Sequence, residues 1–231
     1  FVIVTLIASQ DGHLVLEARA HLWPALIHIW ITFLVSLLLA TRYRANLGSE
    51  AELLPVLFLT IVLANIKILP LHQAITGTFL LDGGVLTFIY HGSLLYTSFL
   101  FLIGSLLFLR LSPSRIGFIT FVGAAGSALL ALLVPSSPND PSFLLEAGVS
   151  DSLFLSICIT LTVVAALSYL VIALGEHTKR DTRFKTVAFL LLTVGNAFVS
   201  ISQRTFYNII GLIIYGAGAT ILVLASRSYH I

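Results

Sequence analysis

The run Gly84-Val-Leu-Thr-Phe-Ile-Tyr-His-Gly-Ser-Leu-Leu-Tyr-Thr-Ser-Phe-Leu-Phe-Leu-Ile-Gly-Ser-Leu-Leu-Phe-Leu109 contains no Asp, Glu, Lys or Arg. As a helix it would be about 39 Å long, more than the roughly 30 Å of a bilayer's hydrocarbon core. Backbone groups in lipid must find their hydrogen bonds within the segment, so such a run reads as a spanning helix rather than a strand. Six further runs of the same character occupy residues 22–40, 52–71, 116–134, 152–174, 186–203 and 206–226. Turn and breaker residues separate them, among them Asn46-Leu-Gly48, Asp82-Gly83-Gly84, Ser112-Pro113-Ser114 and the Pro-rich stretch 135–141. The expected fold is all-α, a polytopic membrane helix bundle of seven transmembrane helices. It forms a single transmembrane domain over residues 1–231, with 1–9 as the outer end of a truncated extra helix.

The whole chain agrees with that reading. Of its 231 residues 58% are hydrophobic and 10% charged, where a soluble domain carries about a quarter of its residues as charged ones. Mean hydropathy is +1.05. A net charge of +2 leaves no basic face for nucleic acid. The single cysteine, Cys158, excludes an internal disulfide framework and a cysteine-based metal centre. The chain opens on Phe1 and contains no Met, so a processed or excerpted sequence is expected.

Basic residues near helix ends set orientation. Arg42, Arg44, Arg110, Arg115, Lys179, Arg180, Arg183, Lys185 and Arg227 fall on one side, whereas the loop 135–151 on the other has neither Lys nor Arg. The N-terminus is therefore expected outside and the C-terminus in the cytoplasm, in a bacterial inner or plasma membrane. Residues 69–84, bracketed by Pro70 and the Gly pair, read as a partly re-entrant segment.

Polar groups inside a span are costly unless they face a partner or a cavity, which makes each a candidate for function. His28, Asn65, Lys67, His91 and Asn196 fall at a similar depth, roughly 10 Å below the outer boundary. With Tyr90 they predict a pocket open to the outside, walled by Trp23, Trp30 and Phe88. Against this stands an interfacial reading, in which Lys67 snorkels, Trp23 and Tyr207 join an aromatic belt, and Asn65, His28 and His91 hold helices together.

Chemistry of other kinds finds little support. His28 and His91 on separate helices are the minimum for an axial haem pair, and a haem-binding membrane protein is retained as an alternative. No Ser, His and Asp set can be placed together, and no pair of carboxylates flanks the pocket, so an enzyme is not expected. No metal site and no resident cofactor are expected. Small residues such as Gly123, Gly126, Gly211 and Gly218 are expected to mark close helix packing.

At the second and third runs, Val62-Leu-Ala-Asn65-Ile-Lys67 followed by Gly77-Thr-Phe-Leu-Leu-Asp82-Gly83-Gly84-Val-Leu-Thr-Phe88-Ile-Tyr90 resembles the vitamin-uptake-like membrane family. That family includes the queuosine-precursor transporters and related sensor domains fused to cytoplasmic signalling domains. The resemblance covers about thirty residues and singles out Asn65, Lys67, Asp82, Gly83, Gly84, Phe88 and Tyr90, implying ligand-binding roles for Asn65, Lys67, Asp82, Phe88 and Tyr90. Ile89 stands where the family has Pro, and the acidic stretch of the transporters is absent from residues 92–102. The sensor branch is thus the closer likeness. Apart from the resemblance, Asp82-Gly-Gly also reads as a turn ahead of a helix, with Asp82 favoured near its N-terminus.

The expected function is a sensory or receptor-like module that binds a small organic ligand and signals to a cytoplasmic output domain or partner. Its alternative is a transporter of a vitamin-like or nucleobase-like solute.

Overall fold

A computed structural model describes residues 12–42, 50–69, 81–108, 113–134, 152–175, 180–202 and 205–227. Among them lie seven α-helices and no strand: α1 Gly12–Arg42, α2 Glu50–Ala64, α3 Gly83–Phe108, α4 Pro113–Leu133, α5 Ser152–Leu174, α6 Arg180–Ile201 and α7 Thr205–Arg227. Residues 1–9 and 70–80, assigned above to a truncated helix and a re-entrant segment, lie outside the described residues.

Six of the helices are long and apolar enough to cross a membrane, and α2 is not. Within the expected second span of 52–71 the α-helix from Glu50 runs to Ala64, Asn65–Lys67 form a 3₁₀ turn, and residues 68–69 are again α-helical. Fifteen α-helical residues rise only about 22 Å. One side chain stands at this change: Asn65 donates to the Ile61 carbonyl at 2.8 Å. The α1 and α6 helices begin earlier than expected, at Gly12 and Arg180, because hydropathy marks where a helix enters lipid and not where its hydrogen bonding starts.

Six of the helices, α3 among them, close into a ring. Consecutive contacts run α1 to α2, α2 to α3, α3 to α5, α5 to α6, α6 to α7 and α7 back to α1, while α3 also touches α6 and carries α4 on its outer side. The α6–α7 pair is the most extensive contact. Glycine makes it possible: a Cβ on Gly195 would come within 2.8 Å of the Gly211 carbonyl, and one on Gly211 within 2.7 Å of the Phe198 Cβ. The two backbones touch without intervening side chains, a packing mode that suits lipid, where apolar side chains gain nothing by leaving the solvent.

The two ends of the bundle differ. Where α3 and α5 end and α6 begins, Phe108, Tyr169 and Phe189 pack with ring centroids 5.6–6.1 Å apart. There Tyr169 donates its hydroxyl to the Phe101 carbonyl at 2.8 Å. This aromatic knot joins a core of Leu53, Leu54, Leu57, Phe101 and Leu192. Lys185, the one buried ammonium or guanidinium side chain among the described residues, belongs to this end. Towards the opposite end, where α3 and α7 start and α2 and α6 finish, the buried groups include imidazole, amide and hydroxyl.

Candidate functional site

His28 sits on α1 with Thr32 one turn further along, the spacing that stacks two side chains on one helix face. Thr32 donates its hydroxyl to the His28 carbonyl at 2.7 Å, which uses its only hydrogen. The 2.9 Å contact between Thr32 Oγ1 and the Tyr215 hydroxyl on α7 therefore has Tyr215 as donor. The Tyr215 and His28 rings meet edge to face at 4.3 Å. All three residues are fully buried.

Asn65, first residue of the 3₁₀ turn that follows α2, completes this group. Its Nδ2 donates one hydrogen to the Ile61 carbonyl at 2.8 Å and faces His28 Nδ1 at 3.1 Å. The carbonyl contact fixes which end of the amide is nitrogen, so His28 Nδ1 must accept and the neutral ring carries its hydrogen on Nε2. This tautomer follows from the hydrogen-bond network. Both Asn65 hydrogens are then committed. Its Oδ1 is buried and has no hydrogen-bond partner among the described residues, in a residue only 1% exposed. Three helices thus meet through a network made entirely of neutral groups.

His91 belongs to a second cluster. Its Nδ1 donates to the Thr87 carbonyl at 3.0 Å, so this ring holds its hydrogen on the opposite nitrogen from His28. It packs edge-on against Phe154 of α5 at 5.0 Å and Tyr90 at 5.3 Å. Tyr90 donates its hydroxyl to the Ser200 carbonyl of α6 at 3.1 Å. In the same helix Ser200 Oγ lies 3.4 Å from Asn196 Oδ1, at the outer limit of a hydrogen bond. His28 packs against α2 and α7, while His91 packs against α5.

The remaining candidates separate further. Asp82 is exposed and caps α3: its Oδ1 accepts from Gly84 N at 2.8 Å and Val85 N at 3.4 Å, and its carbonyl takes the first helical bond from Leu86. Phe88 lines an open groove of about 300 Å³ between α2, α3 and α4 with Thr60, Leu63, Ser93 and Tyr96. Trp23 and Trp30 do not wall either cluster, being 51% and 62% exposed on α1. Tyr207, also largely exposed, edges an apolar groove of about 350 Å³ between α5, α6 and α7. Lys67 lies in the 3₁₀ turn, and its side chain is outside the described residues.

Two residues of the first cluster escape a reading of depth and polarity, Tyr215 and Thr32. The His28–Thr32 spacing was the available signal for one of them. Tyr215, in an apolar helix among glycines, offered none.

No protein-family model matches this chain, and no curated protein matches it significantly.

Proposed function

We propose that the chain is a sensory or receptor-like membrane module, in which a small organic ligand binds beside the His28–Asn65–Tyr215 cluster. The observation that carries this reading is that cluster itself: a buried set of polar side chains from α1, the 3₁₀ turn after α2, and α7, in helices whose buried faces are mainly apolar. Intramembrane polar groups of this kind mark sites by default. The one-sided distribution of Lys and Arg at the helix ends supports an orientation with the cluster nearer the outside and the C-terminus in the cytoplasm. A bacterial inner or plasma membrane is the setting we assign.

A ligand shifts a conformational equilibrium only by binding one state more tightly than another. The cluster is suited to this because it joins three helices through single hydrogen bonds, which a competing group can replace. The α6–α7 pair, in backbone contact at Gly195 and Gly211, carries a displacement of α7 towards the cytoplasm as one unit.

Native mass spectrometry of the full-length protein purified from its own membranes tests the reading. An adduct of defined mass is expected in the wild type and lost in Asn65→Leu. Its absence from the wild type, or its persistence in the variant, overturns the assignment.

One observation favours a transporter of a vitamin-like or nucleobase-like solute as the second reading. The α2 helix breaks into a 3₁₀ turn at the buried Asn65, and interrupted helices supply backbone groups to substrate sites in many transporters. Uptake of labelled solute into proteoliposomes separates the two.

A further inference from the structure

From the same cluster we infer the chemical class of its ligand: an uncharged molecule that presents an N–H or O–H donor to Asn65 Oδ1. The inference rests on the ligand-binding reading above and adds what the ligand must be.

The amide cannot turn over to suit a different partner. Reversing it would place Oδ1 at 2.8 Å from the Ile61 carbonyl oxygen, replacing an attraction by a repulsion whichever tautomer His28 adopts. The amide therefore offers only an acceptor, and a buried acceptor left unmade is costly. Several buried hydroxyls in the spans resolve the same problem on their own helix, Thr32, Ser98, Thr193 and Ser226 each donating to the carbonyl four residues back, though Thr97 does not. An asparagine oxygen has no hydrogen to give and has no such escape.

The ligand's neutrality follows from its surroundings. His28, Thr32, Asn65 and Tyr215 are buried, and the neutral tautomer of His28 is the one that pairs with Asn65. A charged ligand would be desolvated against these four neutral side chains, and charge is strongly disfavoured in a low-dielectric interior.

Three probes of similar size separate donor from charge: acetamide, N,N-dimethylacetamide and acetate. Each is titrated into the full-length protein labelled with ¹⁵N-asparagine, with the Asn65 side-chain resonance assigned by comparison with Asn65→Leu. Acetamide is expected to shift that resonance saturably, and the other two to bind about tenfold more weakly or less, the effect of one lost hydrogen bond. Equal response to dimethylacetamide or acetate overturns the inference, and so does no response to acetamide, which would leave a bound water as the donor. Because Asn65→Leu is the assignment standard, Asn65→Ser serves as a second check in ¹⁵N-histidine-labelled protein, where it should abolish the acetamide response of the His28 ring. If the native adduct persists while acetamide fails, the donor assignment alone is lost; if the adduct itself is missing, the ligand-binding reading fails with it.

Discussion

Tyr215 donates its phenolic hydrogen to Thr32 across the α1–α7 contact, at 2.9 Å, while Thr32 passes its own hydrogen to the His28 carbonyl. The direction of this relay makes the two residues unequal. Tyr215→Phe removes a donor and leaves Thr32 bonded to its carbonyl, which should cost about 0.5–1 kcal/mol. Thr32→Val leaves a buried phenol with nothing to donate to, which should cost about 1–3 kcal/mol. Thermal unfolding in detergent should rank Thr32→Val as the less stable; the reverse order would show that Tyr215 is not the donor.

Asp82 stands at a helix N-terminus with its carboxylate on two backbone N–H groups. Asp82→Ala should therefore destabilise by about 1 kcal/mol, and Asp82→Ser or Asp82→Asn by much less, since all three polar residues cap well. A ligand contact would behave otherwise: binding, rather than melting temperature, would fall in all three variants.

The glycines divide by what surrounds them. Gly195→Ala drives a methyl against the backbone of Tyr215 and Gly211, so α6 and α7 must separate, at a cost of about 1–3 kcal/mol. Gly126→Ala on α4 meets nothing within 4 Å and should be neutral or stabilising by up to about 1 kcal/mol through helix propensity. Paired unfolding measurements check this, and equal effects would argue against the α6–α7 contact.

Cys158 is the sole cysteine and is fully buried beside Phe154 and Leu94. A maleimide should leave the folded protein unmodified and label it to one equivalent after denaturation in SDS. Fast labelling of the folded protein would place α5 in a different rotation.

Orientation has its own check. A cysteine introduced at Ser137, in a Cys158→Ser background, should react with a membrane-impermeant thiol reagent from outside intact cells. Reaction only after permeabilisation would invert the topology derived from the basic residues.

Much of the helix content was legible in the residues. The run from Gly84 corresponds to α3 nearly end to end, and those at 152–174 and 206–226 correspond to α5 and α7. The break in α2 was not, because the apolar pattern runs on past Ala64 while the hydrogen bonding changes there. For the candidate site, depth in the membrane was readable from position along each span, and it drew His28, Asn65, Tyr90, His91 and Asn196 into one set. Within it the folded chain makes two groups: His28 with Asn65, and His91 with Tyr90. Phe88 faces a groove and Asp82 caps a helix instead.

The residues alone dictate the environment: long uncharged apolar runs must be helices in lipid, because an open strand cannot satisfy its backbone there. Which polar side chains meet depends instead on how the helices pack. A soluble helix announces its inner face by an apolar stripe, but a spanning helix is apolar towards its neighbours and towards lipid alike, so its rotation about its own axis is not written in its pattern. That rotation is set by close packing, as at Gly195 and Gly211, and by a few hydrogen bonds between helices. Tyr215 reaches Thr32 and His28 for that reason, and no residue near it in the chain foretold the contact.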